Sequence, residues 1–320
     1  MTVLSLQRAA EGFALAKEAE GKSDNTIRWY RYYLTKFNTW RIGAGYGEQL
    51  TDVTAAQVRE YLKYLREPHP FNFGHPNKPA NVTQASSQRS VHGAHRSLGA
   101  FFNWCVAEGH LFQSPLANIQ RPKVAKVIVP LYTREHVWAL LKACEETHEP
   151  TLTARNKAIV MLLLDTGMRR GEVVDLTMER LHLQEGKAQI TGKGNKDRIV
   201  FFGAQCKKLL WHYVTNYRPE PIGITTSVFL NYDGTALKAN RMAKMLEMLG
   251  KRAGVEDVYP HRFRHTAGVE FIRNGGNVFA LQKMLGHTTL EMVRYYVELA
   301  QEDVQRAHKT ASPADNWQLT

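Results

Sequence analysis

The sequence predicts two domains: an N-terminal all-α helical bundle and a mixed α+β domain that is mainly helical with a small antiparallel sheet. Three observations predict this fold class. The 320 residues are 43% hydrophobic, which is enough to build two cores. Apolar residues of the first third recur at helical spacing. The second half contains one glycine-rich turn between two short strand-like segments.

Each helix of the first third has its own apolar stripe. The stripes consist of Ile27, Tyr30, Leu34 and Phe37, of Val58, Leu62 and Leu65, and of Val91, Leu98, Phe102 and Cys105. Thr54 followed by Gln57 has the spacing of a capping box, so we expect the second of these helices to begin there. Between Arg66 and Val82, four prolines and one glycine predict an extended surface loop inside the domain.

The best domain boundary is the basic, proline-bounded segment from Arg121 to Pro130, after which Thr133 can cap a new helix. The predicted divisions are a first domain at residues 1–120, a linker at 121–131, a second domain at 132–300 and a C-terminal tail at 301–320. Within the tail, a helix break near Pro313 leaves Trp317 as a single apolar anchor.

The formal charge of +12 and the pI near 9.6 favour a polyanionic partner, because cationic side chains that neutralise phosphates release counterions. Candidate phosphate contacts are Arg28, Arg31, Arg89, His92 and Arg96 in the first domain, Lys123 in the linker, and Lys196 and Arg198 near the glycine-rich turn. The alternative for these residues is an ordinary solvated basic face.

The second domain mixes helices with a hairpin. Residues 158–164 form an apolar helix that Gly167 ends with a C-cap turn. Ile190 and the run from Ile199 to Phe202 flank the glycine-rich turn, which predicts a hairpin with Lys193 near its tip. The alternative is an exposed glycine-rich turn whose lysines are incidental.

A last helix is predicted to begin at a second capping box, made by Thr288 and Glu291. It contains two adjacent tyrosines. At about 100° per residue, Tyr296 lies on the margin of the apolar stripe and Tyr295 points almost oppositely. Tyr296 can therefore turn toward the body of the domain.

Six polar residues of the second half match the chemistry of breaking and rejoining a phosphodiester without a metal. They are Arg169, Lys193, His261, Arg264, His287 and Tyr296. Because a phenol has a pKa of about 10, nearby cations must favour its nucleophilic anion. Two guanidiniums can bind the non-bridging phosphate oxygens, a lysine can protonate the departing 5′ oxygen, and a histidine can assist proton movement at the tyrosine.

The motifs around these residues resemble those of the tyrosine recombinase (phage integrase) family, which includes the Xer and Cre recombinases. The motifs are Thr166-Gly167-Met168-Arg169 with Glu172, Gly192-Lys193-Gly194-Asn195-Lys196-Asp197-Arg198, His261-Arg262-Phe263-Arg264-His265, and Leu285-Gly286-His287 with Tyr296 nine positions on. The resemblance covers nearly the whole chain. Arg170 and Phe263 depart from the commoner family residues, and neither change removes a reacting group.

By this resemblance, Arg169 and Arg264 would bind the scissile phosphate and Tyr296 would attack it. Lys193 would be the general acid, and His261 and His287 would assist. Glu172 would orient Arg169. It implies a site-specific recombinase that integrates, excises or resolves DNA through a covalent 3′-phosphotyrosyl intermediate. A SAM-like core-binding domain and a catalytic domain would close around double-stranded DNA. Four subunits would join two duplexes, with exchange of C-terminal tails between protomers. The resemblance implies no cofactor.

Two other functions stay open at this point. A type IB topoisomerase uses much the same cleavage chemistry and residues, but it relaxes supercoils without joining two duplexes. A non-catalytic DNA-binding regulator needs only the basic faces, and the complete set of six residues argues against it.

A zinc site is not expected. His261 and His265 are four residues apart on one side of a helix, but no acidic residue intervenes, and Arg262 and Arg264 would repel a dication. The three cysteines are widely spaced, which argues against a disulfide framework or a thiolate metal site, and we expect each to be buried and inert.

The longest apolar run, residues 158–164, is far shorter than the roughly 20 residues that cross a bilayer. Residues 1–10 show no secretory signal pattern, so we expect a cytoplasmic protein. The helical domain begins almost at the first residue, so we expect no additional N-terminal arm-binding module.

Overall fold

The structure, a computed structural model, describes residues 4–70, 83–124, 129–192, 197–287, 289, 291–299, 308 and 312–317. The chain divides into two compact units, Met1–Val127 and Ile128–Thr320. This division falls inside the segment that the sequence predicts as a linker, residues 121–131. Both units are mainly helical, and the second contains a small antiparallel sheet, so the predicted fold class is confirmed.

Within its described residues, the first unit consists of four α-helices and a two-stranded ladder. Helices α1 to α4 are Leu6–Ala19, Asp24–Gly43, Ala55–Tyr64 and Gln88–Ala107. The ladder pairs β1 (His69–Pro70) with β2 (Thr83–Gln84) in antiparallel register. Most of the predicted surface loop, residues 71–82, lies outside the described residues.

Each of the four helices of the first unit has a serine or threonine as its N-cap. The hydroxyl oxygen of this residue accepts a hydrogen bond from a backbone N–H that has no backbone partner in the first helical turn. These residues are Ser5, Ser23, Thr54 and Ser87. The predicted start at Thr54 is therefore confirmed. The side chain of Gln57 does not complete a capping box, because it accepts a hydrogen bond from Arg41 Nε at 3.1 Å.

The apolar faces of the four helices converge on a core that is rich in aromatic rings. Phe13, Phe37, Phe101 and Phe102 are fully buried in it. Phe13 and Phe101 meet edge to face, with their ring centroids 5.6 Å apart. Since burial of such a side chain stabilises the folded state by about 1.5–3 kcal/mol, these rings are a main reason why the helices pack together.

The second unit combines helices with a three-stranded sheet. Within its described residues, the α-helices are α5 (Arg134–Ala143), α6 (Pro150–Thr166), α7 (Arg170–Val174), α8 (Ala204–His212), α9 (Ala239–Ala253), α10 (Pro260–Arg273), α11 (Val278–Leu285), α12 (Glu291–Leu299) and α13 (Pro313–Asn316). A π-helical segment, Tyr213–Tyr217, continues α8. Thr133 caps α5, as predicted, and forms a capping box with His136.

Three strands form the sheet in the order β3 (Leu181–His182), β4 (Lys187–Thr191), β5 (Asp197–Phe201). The antiparallel pairing of β4 with β5 is the predicted hairpin, and β3 was not predicted. A strand of two residues is too short for the alternation of apolar and polar side chains to reveal it. The tip of the hairpin, residues 193–196, lies outside the described residues.

Helix α6 ends at a glycine for two reasons. Gly167 has φ +59°, a conformation that residues with a Cβ rarely adopt. A Cβ built on Gly167 would also lie 2.7 Å from Leu285 Cδ2. Glycine thus stops the helix and permits the close approach of α11, and the chain then turns directly into Arg169.

The segment that enters the second unit is fixed to α10. Arg262 donates from Nε to the carbonyl oxygen of Pro130 at 2.8 Å and from Nη2 to that of Leu131 at 3.3 Å. The backbone N–H of Tyr132 donates to Thr266 Oγ1 at 2.9 Å. Helix α10, which carries two of the six predicted catalytic residues, is therefore tied to the start of its own unit.

All three cysteines are buried. Across the described ranges, no cluster of three or more histidine, cysteine or carboxylate side chains is placed to hold a metal ion. In those same ranges, no helix combines the length and the apolar character needed to cross a membrane.

Candidate active site

Arg169 lies at the start of α7 and is held by Glu172, one turn later. Its backbone N–H donates to Glu172 Oε2 at 2.7 Å, and its Nη1 donates to Oε1 at 2.9 Å. Its Nη2 lies 3.4 Å from the carbonyl oxygen of Gly286. The side chain of Arg169 is 34% exposed and that of Glu172 only 5%. A buried carboxylate thus anchors a guanidinium that reaches the surface.

Arg198, on β5, is a second arginine bound to the same carboxylate. Its Nη1 donates to Glu172 Oε1 at 2.7 Å, its Nη2 to Oε2 at 2.9 Å, and its Nε to the carbonyl oxygen of Met284 at 3.0 Å. Burial works to raise the pKa of Glu172, but the hydrogen bonds from Arg198 and Arg169 outweigh it, and the pKa is lowered. Glu172 is therefore an anion at neutral pH.

The sequence predicts Arg198 as a DNA contact, whereas the structure gives its guanidinium protein partners. A signal for this was present in the sequence. Residues i and i+2 of a strand share a face, so Arg198 lies on the same face as Val200, which is buried. Across the ladder, Arg198 pairs with Ile190, which is also buried.

Arg264, on α10, is 2% exposed. Its Nη1 donates to the carbonyl oxygen of Gly167 at 2.8 Å, and its Nη2 donates to that of Leu285 at 2.6 Å and meets His287 Nε2 at 2.7 Å. Within the described part of the chain, these contacts use three of the five N–H groups of the guanidinium. The other two N–H groups can donate to a ligand. Burial, and then the charge of Arg169, lower the pKa of Arg264 to about 10, so it remains a cation at neutral pH.

His287 follows the glycine that ends α11. Burial and the charges of Arg264, Arg169 and Arg198 lower its pKa to about 4. The ring is therefore neutral at pH 7, and Nε2 accepts the hydrogen bond from Arg264. Gln282 donates from Nε2 to the carbonyl oxygen of His287 at 3.2 Å, which fixes the backbone at this position.

Tyr296, on α12, is 3% exposed and faces the body of its unit, on the side that the helical periodicity predicts. Its ring is nearly parallel to that of His287, with centroids 5.9 Å apart and 8° between planes. A Cβ built on Gly268 would lie 2.9 Å from Tyr296 Cδ1. The charge interaction between Tyr296 and Arg264 works to raise the pKa of that arginine. The tyrosine therefore lies within electrostatic reach of the buried guanidinium.

His261 and His265 lie on the same side of α10, as predicted from their spacing. Their ring centroids are 4.7 Å apart, and the centroid of His265 is 5.6 Å from that of Tyr296. Burial and the neighbouring His261 and Arg264 lower the pKa of His265 to about 4. His261 is exposed, whereas His265 is half-buried against the tyrosine.

Several residues of the predicted site and its last helix lie wholly or partly outside the described residues. Lys193 and Lys196 belong to the tip of the hairpin, Thr288 precedes α12, and of Tyr295 only the backbone is described. Of the six residues that the sequence groups together, the structure therefore places five: Arg169, His261, Arg264, His287 and Tyr296.

The predicted phosphate contacts of the first unit lie mainly on its surface. Arg28, Arg31, Arg89 and Arg96 are exposed, as is Lys123 after α4, and His92 is half-buried. Three of these side chains have partners on the surface. Arg28 donates from Nη2 to Asn25 Oδ1 at 2.8 Å, Arg31 forms an ion pair with Glu18 at 3.2 Å, and the guanidinium of Arg96 lies 4.9 Å from the ring centroid of Trp29.

The described site gathers three guanidiniums and one carboxylate, which leaves an excess of positive charge beside a tyrosine ring. Such an excess favours a phosphate group and a phenolate, and it needs no reorganisation when the negative charge develops. A cationic site beside a tyrosine, within a mainly helical unit, is the arrangement expected of the class of enzymes that cleave a phosphodiester by means of a tyrosine. Residues 131–303 match the model of the phage integrase family, and the chain belongs to that family.

Individual relatives agree with this assignment. The tyrosine recombinase XerD of Shewanella oneidensis is 30% identical over 298 residues, which are 92% of this chain and 93% of that protein. XerD of Listeria innocua is 31% identical over 302 residues, 92% of this chain and 94% of that protein. The chain is therefore a tyrosine recombinase, an enzyme that breaks and rejoins DNA at specific sites.

The fold is also shared with a solved structure. The XerH site-specific recombinase, in a post-cleavage complex with its palindromic difH substrate, superposes with a TM-score of 0.69 at 21% sequence identity. The match covers 97% of this chain and 85% of XerH.

Proposed function

We propose that Tyr296 is the nucleophile of the recombination reaction. Its Oη attacks the scissile phosphorus, the bond from phosphorus to the 5′ oxygen breaks, and the product is a 3′-phosphotyrosyl ester with a free 5′ hydroxyl. The reverse attack by a 5′ hydroxyl of the partner duplex rejoins the strand. The observation that carries this proposal is the convergence of the Tyr296 ring with His287 and Arg264 in a cationic site.

Arg169 and Arg264 are proposed to bind the non-bridging oxygens of the scissile phosphate. Arg169 reaches the surface from its carboxylate anchor, and Arg264 has N–H groups that its bonds to Gly167, Leu285 and His287 do not use. Both guanidiniums are held by the protein before DNA binds. This arrangement favours the pentavalent transition state, because the donors need not move as charge builds on the phosphate.

Proton transfers complete the proposed mechanism. Lys193, near the tip of the predicted hairpin, protonates the departing 5′ oxygen, and His261 and His287 assist the reaction at the tyrosine. For His287, the support is its neutral ring, which accepts from Arg264 and stacks on Tyr296. An added phosphate would offset the neighbouring positive charges and so raise the pKa of this histidine toward its usual value.

The first test is covalent capture. The purified protein is incubated with bacterial genomic DNA fragments, and the DNA that becomes covalently attached is sequenced to identify the recombination site. That site is then made as a nicked duplex in which the short fragment that carries the new 5′ hydroxyl dissociates after cleavage, so that the adduct accumulates. We expect the wild type to form the adduct and Tyr296→Phe to bind this DNA without forming it, because only the nucleophilic oxygen is removed.

A Tyr296→Phe variant that still forms the adduct would move the role to another residue. A strand-exchange assay with two distinguishable duplexes then separates the enzyme classes. Products that join the two duplexes identify a recombinase, whereas relaxation of supercoils without such products favours a type IB topoisomerase. Sequence-specific binding with neither activity favours a non-catalytic regulator.

We further propose that the enzyme acts in the cytoplasm as a tetramer that joins two DNA duplexes. The first unit would serve as the core-binding domain and the second as the catalytic domain. The support is the exposed basic face of the first unit and the likeness in fold to XerH, which was solved bound to a palindromic site. Trp317, 71% exposed after α13, would dock on a neighbouring protomer.

A further inference from the structure

We infer that Arg198 is a positioning residue: by saturating Glu172 it keeps Arg169 directed at the scissile phosphate. This inference rests on the proposed function, since it assigns Arg198 a part in the same reaction. Arg198 does not need to touch DNA for this role.

Glu172 receives four hydrogen bonds from two arginines. Oε1 accepts from Nη1 of Arg169 at 2.9 Å and from Nη1 of Arg198 at 2.7 Å. Oε2 accepts from the backbone N–H of Arg169 at 2.7 Å and from Nη2 of Arg198 at 2.9 Å. A carboxylate has about four acceptor positions, so the two arginines fill them all.

The charges of Arg169, Arg198 and Glu172 determine how strongly this group of residues can attract a phosphate. If Arg169 alone faced Glu172, the two charges would cancel and the carboxylate would compete with phosphate for the guanidinium. Because the paired contact of Arg198 satisfies the same carboxylate, the group of three residues keeps one net positive charge. That charge lies on Arg169, the more exposed of the two guanidiniums, with 34% of its side chain exposed against 12% for Arg198.

Arg198 also joins three parts of the site that are distant in sequence. It belongs to β5, it binds Glu172 on α7, and its Nε donates to the carbonyl oxygen of Met284 at 3.0 Å near the end of α11. A Cβ built on Gly286 would lie 3.1 Å from the Cδ, Nε and Cζ atoms of Arg198. The backbone that leads into His287 therefore packs directly on this guanidinium.

The test measures single-turnover formation of the covalent adduct at saturating concentrations of the nicked duplex. With Arg198→Gln we expect the rate to fall about 10²-fold, the effect of a misplaced reacting group. Arg198→Lys keeps the charge but cannot form the paired contact, so we expect an intermediate loss. The dissociation constant for DNA is measured in parallel, and we expect it to change much less than the rate.

A second substrate separates positioning from a general loss of structure. In a duplex with a methylphosphonate at the scissile position, one charged non-bridging oxygen is replaced by a methyl group. The reaction then depends less on the Arg169 guanidinium. We expect the defect of Arg198→Gln to shrink about tenfold or more on this substrate, the factor that one charge-assisted hydrogen bond contributes. A purely structural defect would be equal on both substrates.

Arg218 supplies a matched control. It is half-buried in the same unit and donates from Nε to the carbonyl oxygen of Val228 at 3.0 Å and from Nη2 to that of Ser227 at 2.8 Å. We expect Arg218→Lys to lower the melting temperature without changing the adduct rate of the folded protein.

Two results would overturn the inference: equal defects of Arg198→Gln on the two substrates, or an adduct rate for both Arg198 variants equal to that of the wild type. Either result counts against Arg198 only if the wild type itself forms the adduct and Tyr296→Phe does not. A wild type that forms no adduct would instead overturn the proposed function.

Discussion

Charged side chains in this site are held by protein acceptors before any substrate arrives. Glu172 holds Arg169, and backbone carbonyl oxygens hold Arg264. The neighbouring histidines are affected, because burial and then the nearby positive charges make a protonated imidazole unfavourable. His287 and His265 each have their pKa lowered to about 4. At neutral pH both rings are therefore uncharged.

The lowered histidine pKa values predict acid sensitivity. An unfolded histidine titrates near pH 6.5, so between about pH 6.5 and 4 the unfolded chain binds protons that the folded site does not. The stability that the neutral rings contribute is fully present above about pH 6.5 and is lost as the pH falls toward 4. We expect the melting temperature of the wild type to fall more between pH 7.5 and 5 than that of His287→Gln.

The same replacement at exposed His212 controls for the removal of an imidazole from the second unit. We expect His212→Gln to lose as much thermal stability as the wild type over this pH interval. If His287→Gln shows the same pH dependence as the wild type, His287 is not held neutral by its surroundings.

At the scale of single elements, two helix ends place the reacting groups. Gly167 ends α6 two residues before Arg169, and Gly286 ends α11 directly before His287. Both residues have positive φ angles, +59° and +64°. A sharp left-handed turn after a rigid helix positions the residues that follow more firmly than a long loop would, because few backbone dihedrals remain free.

Gly286→Ala should therefore have two effects. A Cβ in the left-handed region costs about 1–2 kcal/mol of stability. In addition, it would lie 3.1 Å from atoms of Arg198, so that guanidinium must shift. We expect a loss of stability, measured by chemical denaturation, together with slower formation of the covalent adduct.

Gly254 offers a matched comparison, because it ends α9 at the same φ of +64° but has nothing within 4 Å of a built Cβ. We expect Gly254→Ala to lose the stability that the strained backbone costs and to keep the adduct rate. Equal adduct rates for Gly254→Ala and Gly286→Ala would show that the contact with Arg198 is unimportant.

At the scale of the whole molecule, two compact units share a formal charge of +12. A charge of this size attracts a polyanion over several ångströms and makes binding depend strongly on salt. The first unit presents exposed arginines, whereas the second holds the Tyr296 ring and the Arg264 guanidinium below its surface. We therefore assign general attraction to the first and chemistry to the second.

Assembly is the property of the whole molecule that the tail is proposed to control. Deleting residues 312–320 should leave binding to a single half-site unchanged, because the proposed DNA contacts lie elsewhere. It should weaken cooperative assembly on paired sites, measured by gel mobility shift, because the docking group Trp317 is lost. Trp138→Ala, which removes a tryptophan of similar exposure (66%) from α5, is the control. Unchanged cooperativity after the deletion would contradict the proposed role.

Local patterns in the sequence determined much of this protein. Helical periodicity predicted three of the four helices of the first unit, the hydroxyl cap at Thr54 predicted the start of one of them, and two strand-like segments around a glycine-rich turn predicted the main hairpin. Chemistry predicted which side chains belong together, from Arg169 to Tyr296. The helices, the cap and the hairpin depend on interactions between residues a few positions apart, so a linear pattern records them. The grouping of the distant polar residues came instead from their chemistry and their ordered motifs.

Only the tertiary structure decided the partners of the charged groups. Arg198 meets Glu172 across 26 positions, Arg264 meets Gly167 across 97, and Arg169 meets Gly286 across 117. No local pattern encodes such pairs, because they depend on how helices and strands pack. For that reason the sequence could not pair Arg198 with the buried carboxylate of Glu172, and a DNA contact of Arg198 stays a prediction.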